Sequence, residues 1–250
     1  MTDEGRGDDV KGPAFYAATR GGWREWWTVL HPPYTAWHLS YVVIGACLAP
    51  HVEVGRLVGT LLAFFLAVGV GAHALDELNG RPLRTHLPGP ALLVAGVLGL
   101  AGAVVIGVVG ITRVGIGLLP FIVVGALLVI GYNLELAGGR MHTDLGFAAS
   151  WGAFPVLTAY FAQAGDLDVS AAVGAAGALG LSWAQRRLST PARELRRQVT
   201  AIDGTMTFAD SRVEPLTADR LLRPLEDALR ALSWGVVAIA AGLALARLGP

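Results

Sequence analysis

His73, Asp76 and Glu77 stand at i, i+3 and i+4, a spacing that brings all three to one face of a helix. Asn79-Gly80-Arg81-Pro82-Leu83-Arg84 follows at once. Gly80 and Pro82 end the helix there, so Arg81 can fold back toward the carboxylates. A second polar group reads Tyr132-Asn133-Leu134-Glu135, then Gly138-Gly139-Arg140 and His142-Thr143-Asp144. Further along stand Ser150, Thr158, Tyr160 and Gln163, and earlier in the chain His38, Ser40 and Tyr41. Three readings compete. Two carboxylates and an arginine suit Mg2+ with a diphosphate, because Mg2+ takes oxygen ligands and substrate phosphates. His73, Asp76, Glu77, Glu135 and His142 together suit a transition metal such as Fe or Zn. Alternatively, acids and arginines simply end helices at an interface and pair with each other.

The elements that carry these residues are apolar. Hydrophobic residues make up 54% of the 250 and charged residues 15%, against about 25% charged in soluble chains. Seven runs approach the roughly 20 apolar residues of a membrane span: Tyr34–Ala49, Leu57–Ala72, Pro90–Val109, Val114–Tyr132, Leu145–Phe161, Val169–Trp183 and Ala231–Leu245. They are continuous and rich in Ala, Gly and Leu rather than alternating, so the expectation is an all-α, polytopic helical membrane bundle with about seven transmembrane helices. Pro155 is expected to kink the fifth. Residues 1–33 form a polar arm with an interfacial cluster of Trp23, Trp26 and Trp27. Residues 34–250 form one transmembrane domain with a cytosolic loop at about 184–230. Within that loop Pro191–Ile202 reads as a basic amphipathic helix on anionic lipid. Asp203–Pro215 reads as a linker, and Thr217 can cap the last helix.

Placing the N-terminus in the cytosol and the C-terminus outside puts all but Arg56, Arg113 and Arg247 of the 19 Lys and Arg on the cytosolic side. This satisfies the positive-inside rule. The two polar groups then share one membrane face. A formal net charge of zero argues against a nucleic-acid partner. The single Cys47 excludes a disulfide framework.

At these residues the chain resembles the UbiA superfamily of intramembrane prenyltransferases. Leu30-His31-Pro32-Pro33 and Val43-Ile44-Gly45 are similar to the start of the family's first helix. His73-Ala74-Leu75-Asp76-Glu77 stands at the first aspartate-rich motif, and Asn79-Gly80-Arg81-Pro82-Leu83 resembles its Asn-Arg-Pro-Leu sequel. The run from Tyr132 to Gln163 resembles the family's central helix pair. The resemblance covers roughly residues 28–188. It implies an integral membrane enzyme that moves or cyclises the prenyl group of an isoprenyl diphosphate, in the transfer case onto a lipid-soluble acceptor. Carried over by position, Asp76 would hold Mg2+ with Glu77 helping, and Arg81 would contact the diphosphate. Substrate contacts are expected from His73, Asn79, Tyr132, Asn133, Glu135, Arg140, His142 and Tyr160. The family's second acidic motif has no counterpart, since Ala184-Gln185-Arg186-Arg187-Leu188-Ser189-Thr190 carries no acid. Arg186 and Arg187 stand there and can pair with phosphate directly. Two other functions remain open on the same scaffold: a His/carboxylate metalloenzyme, and a non-catalytic isoprenoid-binding membrane protein.

Overall fold

The computed structural model describes residues 13–18, 21–136, 138, 140 and 142–249. Gly139 and the arm's Arg6, Lys11 and Arg20 lie outside them. A short helix α1 (Arg24–Val29) leads into α2 (Pro32–Leu48), which begins on a Pro-Pro step directly after His31 in a left-handed conformation. Proline suits the first turn because its missing N–H would have no partner there. Then come α3 (Val54–Leu78), α4 (Gly89–Val114), α5 (Ile116–Asn133) and α6 (Asp144–Ala164). Two long helices complete the bundle, α7 (Val169–Arg197) and α8 (Ala218–Leu248). Each of the seven apolar runs therefore has a helix of its own, apart from end residues such as Ala49, which follows α2, and Val114, which closes α4. Five of these helices, α3, α4, α5, α6 and α8, are long and apolar enough to cross a membrane. Neither α2, at 17 residues, nor α7 is among them.

The polar residues of α2 are explained by its position. It packs against α6 and α8, so protein rather than lipid surrounds Trp37, His38, Ser40 and Tyr41, all buried. Their polar atoms find partners inside the bundle: Ser40 donates to the Ala36 carbonyl, and Ser182 of α7 donates to the Tyr41 hydroxyl. Contact between α2 and α6 is backbone-close at Gly45, where a Cβ would lie 2.3 Å from the Val156 carbonyl oxygen. By contrast α4 leaves Leu93, Val94, Val97, Leu98, Val105 and Val108 exposed, an apolar face suited to lipid.

Side-chain caps set the helix starts. Glu53 accepts from the amides of Gly55 and Arg56, Thr143 from Gly146, Asp168 from Ala171, and Thr217 from Arg220. Two helices are locally wound wider, into π turns, at Phe65–Ala72 in α3 and Ala149–Ala153 in α6. The second precedes Pro155, which has no N–H for the Trp151 carbonyl. His38 of α2 places its Nδ1 2.9 Å from that oxygen instead.

The stretch expected as a loop at 184–230 is mostly helix. Pro191–Ile202 is not a separate helix, because α7 runs unbroken through Pro191 to Arg197. Its Ala192, Leu188 and Leu195 pack on Leu222, Leu225 and Leu229 of α8, and that burial outweighs what proline costs a helix interior. Asp203–Pro215, expected as a linker, folds into an antiparallel hairpin of β1 (Thr205–Thr207) and β2 (Val213–Pro215) with Thr205 opposite Pro215.

Candidate functional site

Two neighbouring cavities lie in the bundle and share two lining residues. The polar one, about 320 Å³, is lined at the α3 end by His73, Asp76 and Asn79. Tyr132, Asn133, Glu135 and His142 form another wall, and Arg186, Arg193, Arg196 and Arg197 of α7 a third. His31, His38 and the segment Pro13–Tyr16 close it. The apolar cavity, about 380 Å³, runs between α3, α4, α5 and α6 past Ala63, Ala67, Phe121 and Phe154. Val68 and Trp151 line both. Each of these two residues sits in one of the π-wound segments, which are common at functional positions.

The cavity brings together eight of the candidates: His73, Asp76, Asn79, Tyr132, Asn133, Glu135, His142 and Arg186. Five other candidates lie elsewhere. Glu77 is fully buried, and its carboxylate accepts from the Leu83 amide (2.9 Å), the Thr85 amide (2.9 Å) and the Thr85 hydroxyl (2.8 Å). It organises the loop after α3 instead of facing the cavity. Arg81 turns onto that same loop, donating to the Leu87 carbonyl at 2.6 Å and the Thr85 carbonyl at 3.3 Å. Arg140 is exposed and does not line the cavity. Arg187 pairs with Asp144 at 3.4 Å while remaining largely exposed. Tyr160 is buried with Ala49 and Ala171, and its hydroxyl reaches Asp168, the cap of α7.

Glu25 of α1 is a second buried carboxylate that holds the loop after α3. It accepts from the His86 amide (2.7 Å), the His86 imidazole (3.0 Å) and the Gly21 amide (3.0 Å). Burial raises its carboxyl, and the hydrogen bonds from His86 and Gly21 override this to leave it below the ordinary value. The loop is thus pinned from both sides, and Asn79 ties it to α5 by donating to the Asn133 carbonyl at 3.1 Å.

Sequence reasoning overlooked two groups at the site. Tyr16 and His31 share a hydrogen bond, and the His31 ring stacks on His73 with centroids 4.4 Å apart. Burial, then the neighbouring His73, Arg197 and Arg193, holds the His31 imidazole well below its usual pKa, so it is neutral at pH 7. The other group is Arg193, Arg196 and Arg197. Continuing the sixth apolar run as one helix through Pro191 would have found them, since Arg186, Ser189, Arg193 and Arg197 then fall at i, i+3, i+7 and i+11.

An aromatic layer separates the arginines from the apolar cavity. The Tyr132 ring stacks on His142 at 4.6 Å and meets Trp151 edge-on at 5.6 Å, and the Arg186 guanidinium lies 5.5 Å from the Phe147 ring centroid. Buried within the polar cavity's lining, the Tyr132 hydroxyl and Gln185 Oε1 have no hydrogen-bond partner among the described residues. As for metals, His142 and Glu135 approach to 3.8 Å. Among the described residues no group of three or more His, Cys, Asp and Glu could hold an ion. Asp76 is the member of the acidic pair that lines the cavity, and Mg2+ taken up with a substrate phosphate needs one or two protein carboxylates. No protein-family model, curated protein or solved structure matches the chain.

Proposed function

We propose that this is an intramembrane enzyme of UbiA-like design acting on an isoprenyl diphosphate. One observation carries the reading: the arginine-lined polar cavity and the apolar cavity are neighbours that share Val68 and Trp151 as wall residues. An amphiphile with a multiply charged head and a long apolar tail has that same division. The tail would lie among Ala63, Ala67, Phe121 and Phe154, and the diphosphate would sit below Arg186, Arg193 and Arg197. The reacting allylic carbon would fall at the aromatic layer.

The chemistry follows from that placement. Breaking the allylic C–O bond leaves negative charge on the diphosphate and positive charge on carbon. Donors aimed at the departing oxygens stabilise the first, and the faces of Tyr132 and Trp151 stabilise the second. A Mg2+ ion brought in on the diphosphate would be held by Asp76 and would neutralise the phosphate oxygens. Transfer to a lipid-soluble acceptor and cyclisation share this first step. In this reading α2 and α7 make up seven spans, with the polar cavity at the cytosolic face and the C-terminus outside. The gathering of Tyr16, Asp76, Tyr132, His142, Arg186 and Arg197 around one cavity supports a common membrane face for them.

Glu77 favours a second reading. With its carboxylate engaged by the loop, a single acid of the pair is left for catalysis, as expected of a protein that binds isoprenoid lipid without consuming it. Incubating the detergent-purified protein with geranylgeranyl diphosphate and Mg2+, followed by product analysis, separates the two. Release of diphosphate that disappears in Asp76→Asn, with unchanged melting, is the expected result. Binding without conversion would establish the carrier instead, and no binding would remove both.

A further inference from the structure

The arginines of α7 differ in how their charge is met. Arg196 is paired with Glu226 of α8, including a 2.8 Å contact from Nη2 to Oε2, and both side chains are buried. Arg186 is paired with Asp144 at 3.4 Å. Arg193 donates to the Thr190 hydroxyl at 3.3 Å, and Arg197 donates from Nε to the Pro13 carbonyl at 3.2 Å. These partners are neutral. Among the described residues neither Arg193 nor Arg197 has a carboxylate within 4.0 Å.

Two guanidinium groups four residues apart on one helix thus face the same cavity with no carboxylate of the described residues in contact, and Asp76 stands in the same cavity lining beyond ion-pair distance. They are only partly exposed, and burial together with the nearby Arg186 and Arg197 pushes the Arg193 pKa down. Gathering like charges in a half-buried space is unfavourable unless an anion joins them. A second observation points to a ligand at the same place. Among the described residues the Tyr132 hydroxyl, which can donate, is buried and unpartnered in the cavity's lining, and buried polar atoms of native proteins nearly always have a partner.

We propose that Arg193 and Arg197 bind a phosphate or diphosphate group directly, by charge-assisted hydrogen bonds, with no divalent cation needed as a bridge. The Tyr132 hydroxyl donates a further hydrogen bond to that group. The guanidinium fork suits this work because its paired N–H groups match two phosphate oxygens. The inference rests on the reading of the polar cavity as the head-group end of an amphiphile site. It goes beyond that reading by assigning anion affinity to α7 rather than to Asp76 and Mg2+.

The test is equilibrium binding to the full chain in detergent, in EDTA and in Mg2+. The probes are radiolabelled geranylgeranyl diphosphate and inorganic pyrophosphate. The proteins are the native chain, Arg193→Gln, Arg197→Gln, Arg193→Lys and Asp76→Asn, each checked for monodispersity and melting. Geranylgeranyl diphosphate should bind in EDTA, and each Gln variant should weaken it about tenfold or more, the scale of a lost hydrogen bond to a charged group. Arg193→Lys should lose less, and Asp76→Asn, which takes a negative charge from the same cavity, should bind in EDTA more tightly than the native chain. Weaker binding of pyrophosphate at the same arginines identifies the amphiphile as the ligand and free diphosphate as a fragment of it. Pyrophosphate bound through Arg193 and Arg197 while geranylgeranyl diphosphate is refused keeps the arginine site and removes the amphiphile reading. Binding only in Mg2+, lost in Asp76→Asn and kept in both Gln variants, overturns the arginine site and keeps the amphiphile reading. No binding in any arm overturns both.

Discussion

Arginine appears at both ends of the bundle and does different work at each. At the end away from the polar cavity, Arg56 donates to the Gln163 carbonyl at 2.9 Å and the Arg113 carbonyl at 2.8 Å. Arg247 donates to the carbonyls of Ala49 and Pro50 at 2.6 and 2.8 Å. These guanidinium groups satisfy backbone acceptors where helices stop, which is the ordinary use of arginine at a helix end. At the other end Arg193 and Arg197 line a cavity and meet neutral groups, while Arg196 is locked to Glu226. Residue type and depth alone cannot distinguish a clip from a binding group. What each charge is paired with can.

The comparison can be broken most forcefully at the one fully paired arginine of the cavity end. Glu226→Gln takes the buried carboxylate away from Arg196 and should cost roughly 3–5 kcal/mol, read as a large fall in melting temperature in detergent. A melting point unchanged by this substitution would mean that the junction of α7 and α8 is held by its leucines alone. A smaller effect is expected at the two neighbouring acids of α3. Glu77→Gln gives up a carboxylate that accepts three hydrogen bonds and presents an amide donor to backbone donors, at about 2–3 kcal/mol. Asp76→Asn should melt like the native protein. Equal losses for the two would place both carboxylates in the structural class. The smallest effect belongs to the far end. Hydrogen bonds from Ser170, Tyr160 and the Ala171 amide lower the Asp168 carboxyl to about 2, against roughly 3.9 in an unfolded chain. Its contribution is therefore complete above pH ~4 and is lost as the pH falls toward 2. Asp168→Asn keeps a capping side chain but does not titrate, so that part of the acid-induced fall in melting temperature should vanish in it.

The sequence was most informative where a single residue decides a boundary. Gly80 and Pro82 follow the end of α3 at Leu78, and Thr217 caps α8. Shared placement of the groups around His73 and Tyr132 was also readable, because charge asymmetry and helix ends together assign them to one side. What could not be read was side-chain direction. Asp76 and Glu77 are adjacent in sequence and of like charge, yet one lines the cavity and the other holds a loop. Only the path of residues 79–88 decides between them. Pro191 misled for a different reason. A proline and a basic, amphipathic stretch describe a surface helix well until the leucines of α8 are brought against it. Tyr160 was assigned to a substrate on its polarity, and its partner Asp168 lies beyond the helix end.

The wide turns at Phe65–Ala72 and Ala149–Ala153 act as phase shifters. A helix advances about 100° per residue, so an extra residue accommodated in one turn re-aims everything after it while leaving the preceding half in register with its neighbours. The outer half of α3 can therefore keep its packing against α4 while His73 and Asp76 are swung onto the cavity. Removing one residue from Phe65–Ala72 would restore ordinary winding. The same stroke would rotate the histidine and the aspartate out of the site without altering either of them.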